Sequence, residues 1–195
     1  DVATGTGDLA IELVQTIPSI THVTGIDISE EMMRIGGEKV RMLGLDRKID
    51  FLRQDSTATD FTEATFDAAT IGFGIRNFSD IPAAARELHR ILRPSGVLII
   101  VELSEPTNPI LHLGYKLYAG HIVPLIGRLM TEDKDAYSYL PQSIKAVPQR
   151  EQMVEILKEA GFREAFYESI FPGSCTIYVG INAAPIPFPT EDIAE

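Results

Sequence analysis

The chain has 195 residues, 45% of them hydrophobic, which is enough for one compact domain with a full core and excludes an intrinsically disordered protein. Its 17 lysine and arginine residues against 28 aspartate and glutamate residues give a net charge of −11, which disfavours a nucleic-acid partner. The single cysteine, Cys175, excludes an internal disulfide and a cysteine-rich zinc site, and the sequence shows no apolar run of membrane-spanning length.

The chain opens on a glycine-rich turn between the end of a predicted strand and the start of a helix. Asp27 follows Gly7 by twenty residues and lies at the tip of the next predicted strand. This spacing is typical of a nucleoside-binding site, with Gly5, Thr6, Gly7 and Asp27 as candidate ligand contacts. An ordinary strand-to-helix turn is the alternative. Because almost no strand precedes the turn, we expect the first strand to be truncated.

The same turn satisfies the dinucleotide fingerprint G-x-G-x-x-G/A, with Ala10 at its last position. Asp8 favours a different ligand, because a carboxylate at a helix N-terminus repels a pyrophosphate. S-adenosylmethionine has the same adenosine, lacks phosphate and carries a sulfonium and an ammonium group. The turn therefore favours S-adenosylmethionine, and an NAD-binding oxidoreductase stays open as the alternative.

Helices and strands alternate through the first half of the chain. Hydrophobic periodicity predicts, in chain order, a helix at 9–17, a strand at 23–28, a helix at 29–43, strands at 49–53 and 66–71, a helix from Ser79 or Asp80 to 92, and a strand at 97–103. Ser29 is the predicted N-cap of the second helix. Such alternation predicts a parallel sheet covered by helices on both faces.

The second half departs from this alternation. Residues 109–148 are interrupted by proline and rich in Leu, Ile, Tyr and Gly, so we expect an insertion. A helix at 150–160 is followed by a predicted hairpin, with strands at 165–170 and 175–181. One domain is therefore expected at 1–182, with 183–195 as a flexible tail.

In an open parallel sheet the ligand lies outside the carboxyl ends of the strands. Asp55 and Ser56 follow one predicted strand and the loop 72–77 follows the next, so we expect both beside the glycine turn. Asp27 would accept the ribose hydroxyls, and Asp55 the adenine amino group. A plain turn role is the alternative for both aspartates.

Eight segments carry a family resemblance: 1–8, 70–77, 92–96, 102–106, 123–127, 137–140, 143–144 and 160–162. In order and spacing they resemble the ubiquinone/menaquinone biosynthesis C-methyltransferases of the class I S-adenosylmethionine-dependent superfamily. The most specific are Gly-Phe-Gly-Ile-Arg-Asn at 72–77 and Tyr-x-Tyr-Leu at 137–140. The resemblance covers about 1–181 and implies a Rossmann-like α/β fold, with a mostly parallel seven-stranded sheet and a C-terminal antiparallel hairpin.

The resemblance implies transfer of a methyl group from S-adenosylmethionine to a ring carbon of a polyprenylated quinol, with demethylmenaquinol ahead of a benzoquinol. Arg76 would stabilise the substrate phenolate, and Asn77 would orient the ring or the cofactor. The alternative is that Arg76 pairs with Asp80 or Glu87 and holds the loop. Some relatives have a serine at Gly72, so we expect only a backbone contact with the cofactor there.

The resemblance further implies a substrate lid at 109–148, in which Tyr139 contacts the lipophilic quinol. We expect a cytoplasmic enzyme with at most peripheral membrane contact, and a homodimer stays open. The four histidines lack metal-ligand spacing, so we expect no metal site. The remaining alternatives are a different small-molecule methyltransferase and a non-catalytic module that binds S-adenosylmethionine.

Overall fold

The computed structural model describes residues 1–117 and 143–182. In chain order its elements are α1 (Asp8–Thr16), β1 (Val23–Asp27), α2 (Glu30–Met42), β2 (Ile49–Arg53), β3 (Phe66–Gly72), a 3₁₀ turn (Ile75–Asn77), α3 (Ile81–Ile91), β4 (Leu92–Leu103), α4 (Pro109–Leu117), α5 (Glu151–Glu159), β5 (Glu164–Ile170) and β6 (Cys175–Ile181). Where a helix or strand was predicted, the bounds agree to within one residue except at the start of β4, whereas the 3₁₀ turn and α4 lie in segments for which neither was predicted.

The strand β4 begins five residues earlier than predicted. Leu92 pairs with Phe66 directly after α3, and the register then shifts so that Val97 pairs with Ala68. The residues between them form a bulge in which Ser95 has φ +66°. Residues 93–96, which lay between the predicted helix and the predicted strand, are therefore part of the strand, because a bulge absorbs the extra residues without ending the pairing.

The sheet is mixed. β1 pairs with β2 and β3 with β4 in parallel, whereas β6 lies antiparallel between β4 and β5. Val2 forms parallel bridges to both Ile26 and Ile71, so it lies between β1 and β3. The predicted α/β fold with a C-terminal antiparallel hairpin is confirmed. The described residues contain six strands and the Val2 bridge, so the count of seven stays a prediction.

Two apolar clusters form the core. The larger is centred on β3 and β4 with α3 and α5, and its members at most 2% exposed include Ile71, Leu88, Leu98, Ile100, Met153, Leu157 and Phe162. The smaller joins α1 and α2 to β1 and β2. There the ring of Phe51 fills space left by glycines, because a Cβ at Gly7 or Gly25 would lie 2.6 Å from it. This close packing seats the glycine turn on the sheet.

Glu87 on α3 gives the fold a measurable pH dependence. It accepts hydrogen bonds from Arg90 at 2.6 Å and from the Thr59 hydroxyl at 2.6 Å. Arg90, with a smaller effect of Thr59, lowers the pKa of Glu87 from 4.5 to about 2. A carboxylate whose pKa is lower in the folded state stabilises the fold above its unfolded pKa. This contribution is lost as the pH falls from about 4.5 to about 2.

We therefore expect Glu87→Gln to lower the free energy of unfolding by about 2 kcal/mol at pH 7. The difference between wild type and variant shrinks as the pH falls toward 2. Urea denaturation between pH 2 and pH 7 measures it. A difference that stayed constant over this range would show that the ionised Glu87 does not stabilise the fold.

Candidate active site

A cavity of about 900 Å³ opens at the carboxyl ends of the parallel strands. Its walls come from the glycine turn, the end of β1, the loop after β2 and the loop after β3. Of the predicted site residues that the structure describes, eight line it: Gly5, Thr6, Asp27, Asp55, Ser56, Gly72, Arg76 and Asn77. Gly7 is absent from this lining, and Tyr139 lies outside the described residues. The topology thus brings together residues from four separate segments.

Asp27 ties the glycine turn to the end of β1. Its Oδ2 accepts the backbone N–H of Gly5 at 2.8 Å, and its Oδ1 accepts the backbone N–H of Ser29 at 2.9 Å. Each carboxylate oxygen has two lone pairs, so each keeps an acceptor site for a ligand. Asp27 therefore has the structural role that was the alternative for it, and it also presents a carboxylate to the cavity.

The two glycines of the turn serve different purposes. Both have positive φ, +55° at Gly5 and +76° at Gly7, which favours glycine at each position. The N–H of Gly5 points at Asp27, and the residue lines the cavity. Gly7 precedes α1 as its N-cap and packs on Phe51 instead. Gly7 therefore shapes the turn from behind the cavity wall.

Asp8 is held in an ion pair with Lys39. The Lys39 Nζ lies 2.8 Å from Asp8 Oδ1, and the Thr6 hydroxyl donates to Asp8 Oδ2 at 2.7 Å. The hydrogen bond from Lys39 is the main cause of a lowered pKa of the Asp8 carboxyl. The carboxylate is ionised, as expected, but the Lys39 ammonium on α2 neutralises its charge. The neutralised Asp8 therefore repels a pyrophosphate less than an isolated carboxylate would.

The loop after β2 is built around Asp55. Its Oδ1 accepts the backbone N–H and the hydroxyl of Thr57 at 2.8 and 2.7 Å. The hydrogen bond from the Thr57 backbone N–H is the main cause of a lowered pKa of the Asp55 carboxyl, and the bond from the Thr57 hydroxyl adds to it. Both described bonds use the same oxygen, and Asp55 and Ser56 line the cavity. The carboxylate therefore combines a turn role with a place in the cavity wall.

Arg76, in the 3₁₀ turn after β3, forms a buried ion pair with Glu102 on β4. Its Nη1 donates to Glu102 Oε1 at 2.6 Å and to the Phe73 carbonyl at 2.5 Å. Its backbone N–H donates to Glu102 Oε2 at 3.2 Å. The side chain of Glu102 is 2% exposed and that of Arg76 is 16% exposed. Arg76 therefore holds its loop against β4 and also lines the cavity.

The partners expected for Arg76 in its structural role, Asp80 and Glu87, are engaged elsewhere. Asp80 caps α3 by accepting the N–H of Ala83 at 2.8 Å, and Glu87 pairs with Arg90. The prediction of these partners was wrong, because both are occupied within α3. The alternative role of Arg76 is nevertheless present, because its ion pair with Glu102 holds the loop.

Two carboxylates for which the sequence predicted no role, Asp1 and Glu102, support the site. Asp1 accepts the hydroxyls of Thr4 at 2.6 Å and of Thr70 at 2.8 Å, which joins the glycine turn to β3. Glu102 anchors the loop that contains Arg76. Its position carried a signal, since it continues the buried alternation of Leu98 and Ile100 along β4. A charged residue in such a row needs a partner.

Comparison with known proteins places this geometry in a family. The model of the ubiE/COQ5 methyltransferase family matches residues 1–182. A demethylmenaquinone methyltransferase of Porphyromonas gingivalis is 47% identical over 182 residues, which cover 93% of this chain and 74% of that protein. A ubiquinone/menaquinone biosynthesis C-methyltransferase UbiE of Dinoroseobacter shibae is 36% identical over 180 residues, with coverage of 92% and 72%.

Solved structures give the same fold. A S-adenosylmethionine-dependent methyltransferase from Aquifex aeolicus superposes with a TM-score of 0.66 at 21% identity, over 93% of this chain and 79% of that one. At this level of identity the likeness concerns the fold alone. The predicted Rossmann-like class I methyltransferase fold is therefore confirmed.

Proposed function

The chain belongs to the ubiE/COQ5 methyltransferase family, and from this premise we propose that it methylates a ring carbon of demethylmenaquinol. It is a S-adenosylmethionine-dependent C-methyltransferase of menaquinone or ubiquinone biosynthesis. The observation that favours the naphthoquinol is the 47% identity to a demethylmenaquinone methyltransferase. The NAD-dependent oxidoreductase and the non-catalytic module are set aside, because the family match extends over residues 1–182.

The cavity residues fit S-adenosylmethionine. Asp27 offers two carboxylate oxygens beside the backbone of Gly5, an arrangement suited to a ribose diol. Asp55 and Ser56 stand on the neighbouring loop, where Asp55 would accept the adenine amino group. When bound, the cofactor supplies an electrophilic methyl group on a sulfonium centre. Gly72 would contact the cofactor through its backbone, and the rest of the cavity wall, formed by residues 73–79, would face the quinol.

Arg76 is the proposed electrostatic catalyst. Among the described residues, its guanidinium hydrogen bonds all use Nη1, so Nε and Nη2 are the donors for a substrate oxygen. Arginine stays charged at neutral pH, so it stabilises an anion without taking part in proton transfer. A fixed cation beside the hydroxyl oxygen stabilises the phenolate, which is the form in which the ring carbon is nucleophilic. Asn77, next in the chain and also in the cavity wall, would orient the ring.

We expect Arg76→Lys to lower kcat about thirtyfold, because an ammonium is a single point donor and replaces a planar fork. Lysine can keep its bond to Glu102 only by giving up the substrate oxygen. Binding of S-adenosylhomocysteine should change less than about threefold, since Arg76 stands on the substrate side. Initial rates and calorimetric titration measure the two quantities.

Arg93→Lys is the matched control, because Arg93 pairs with the exposed Asp67 and does not line the cavity. It should retain the wild-type kcat. Near-normal turnover by Arg76→Lys, with unchanged affinity for S-adenosylhomocysteine, would rule out the catalytic role of Arg76.

The function itself is tested with purified protein, methyl-labelled S-adenosylmethionine and two acceptors, demethylmenaquinol and the unmethylated benzoquinol precursor. Label in the naphthoquinol alone supports the proposed substrate. Label in the benzoquinol alone overturns the proposed substrate in favour of one from ubiquinone biosynthesis. Comparable rates with both acceptors overturn the proposal that demethylmenaquinol is the single substrate. Binding of S-adenosylhomocysteine without label in either acceptor also contradicts the proposal.

The described residues, 1–117 and 143–182, include no helix with the length and apolarity needed to cross a bilayer. A cytoplasmic location, peripheral membrane contact and a homodimer belong to the proposal. So do the domain at 1–182, with its substrate lid at 109–148, the tail at 183–195 and the contact of Tyr139 with the quinol. Photocrosslinking from position 139 to a bound quinone analogue tests the last of these.

A further inference from the structure

We propose that Glu102 is a positioning residue for methyl transfer, which acts by fixing Arg76 and the loop 72–77 beside the substrate. This inference rests on the proposed role of Arg76. Glu102 stands on β4, behind the cavity wall, and is absent from the cavity lining in the described chain. Its effect on the reaction therefore passes through the residues that it holds.

The Glu102 carboxylate is surrounded by donors. Oε1 accepts Arg76 Nη1 at 2.6 Å and the backbone N–H of Leu103 at 2.8 Å. Oε2 accepts the backbone N–H of Arg76 at 3.2 Å. With the residue 1% exposed, water cannot replace these partners. A buried carboxylate without a cation is strongly unfavourable, so Glu102 holds Arg76 in one place.

The loop that Arg76 occupies is itself held in an uncommon conformation. Phe73 has φ +56°, which a bulky side chain rarely adopts. Its N–H donates to the Val101 carbonyl at 2.8 Å, and its own carbonyl accepts Arg76 Nη1. One guanidinium nitrogen thus connects the strained residue at the loop entry to Glu102. A strained backbone conformation persists only where the surrounding contacts enforce it. Glu102 enforces it here by holding the guanidinium that binds the Phe73 carbonyl.

Glu102→Gln tests this arrangement with little change of shape. Glutamine has one acceptor oxygen and an amide that donates, so it cannot satisfy the N–H groups on both sides of the carboxylate. It also removes the charge that attracts the guanidinium. We expect kcat to fall about tenfold or more, with the KM for the quinol and the affinity for S-adenosylhomocysteine changed less than about threefold.

Thr176→Val is the matched control. Thr176 pairs with Glu102 across β4 and β6 and is 0% exposed, but its described hydroxyl partners are Ser104 and Ser169 rather than the loop. It should lower the melting temperature while leaving kcat per folded molecule unchanged. If Glu102→Gln lowers kcat no more than this control does, Glu102 is purely structural and the inference is wrong.

Two further variants show whether Glu102 acts through Arg76. Combining Glu102→Gln with Arg76→Lys should lower kcat no further than Arg76→Lys alone, whereas additive losses overturn the inference. Glu102→Asp keeps the charge and should recover part of the lost kcat, and it replaces Glu102→Gln if that variant does not fold. Equal losses in the Asp and Gln variants also count against the inference.

Failure of the proposed function shows as no label in demethylmenaquinol with the wild-type protein, whereas the role of Arg76 and the inference are separated by their variants. Normal turnover by Arg76→Lys removes the role of Arg76 and the inference with it. A defective Arg76→Lys beside a normal Glu102→Gln overturns the inference alone.

Discussion

Asp27→Asn is expected to weaken the binding of S-adenosylhomocysteine at least about 100-fold. Both oxygens of Asp27 accept backbone N–H groups, from Gly5 and from Ser29. Asparagine has one acceptor oxygen, so its amide must face one of these donors. Each charge-assisted bond contributes about 1.5–3 kcal/mol, and about 1.4 kcal/mol corresponds to a tenfold change in affinity. Loss of one bond and of the charge facing the ribose accounts for the expected effect.

Calorimetric titration of wild type and variant measures this change, and two other aspartates serve as comparisons. Asp55→Asn should weaken binding by about tenfold only, because the asparagine oxygen can keep both donors of Thr57 and the bond to the adenine amino group alone is lost. Asp50→Asn should have no effect, since Asp50 pairs with His22 outside the cavity. Affinity of Asp27→Asn within about threefold of wild type would show that Asp27 does not bind the cofactor.

The helices and their caps could be predicted because their signals are local. Ser29 accepts the N–H of Met32 and Asp80 accepts that of Ala83, each over three residues of sequence. The convergence of the cavity residues could also be predicted, since the carboxyl ends of parallel strands meet at one edge of the sheet. Fold and cavity therefore follow from short-range patterns and one topological rule.

Side-chain partners that lie far apart in the sequence could not be predicted in the same way. Asp8 meets Lys39 across 31 residues, and Arg76 meets Glu102 across 26. Both pairs depend on how far a helix or a strand extends beside its neighbour, which periodicity does not specify. The sequence alone therefore shows Asp8 as an uncompensated charge, and it predicts partners for Arg76 on the adjacent helix in place of Glu102.

The two glycines of the turn show the same contrast between what local sequence predicts and what depends on distant contacts. The sequence identified Gly5 and Gly7 as a turn, and the positive φ of both confirms it. Whether a glycine faces a ligand or the core depends on what packs against it, and for Gly7 this is Phe51 on β2. The segment 109–148 has an irregular composition and no clear periodicity, so its secondary structure could not be predicted from local signals.

Gly74→Ala is expected to lower turnover at least about 100-fold, although glycine has no special backbone conformation there. Its φ of −109° is accessible to alanine. The obstacle is contact, since the added Cβ would lie 2.6 Å from the Cβ of Ala3. A Cβ is fixed to the backbone and has no rotamer to change, so the glycine turn and the loop 72–77 must separate. Such overpacking costs about 1–3 kcal/mol, and it moves Arg76, on the substrate side, away from its position relative to the bound cofactor.

Gly72→Ala is the matched control two residues away. Its added Cβ would approach only Leu9 Cδ2, at 3.0 Å, which is the end of a flexible side chain. We expect turnover within about threefold of wild type, because Leu9 can move aside at little cost. Rates, affinity for S-adenosylhomocysteine and melting temperatures of both variants are compared. Equal activity of the two would show that the contact between Gly74 and Ala3 does not position the loop.

A second-site change identifies the contact as the cause. Ala3 has φ +52°, a conformation that glycine adopts without strain, so Ala3→Gly should itself be tolerated. Combined with Gly74→Ala, it removes the opposing Cβ and should restore most of the lost turnover. Rescue requires that the two segments be pressed together in the native state, with the cofactor side of the cavity on one and Arg76 on the other. A double variant as inactive as Gly74→Ala would instead place the defect within the loop itself.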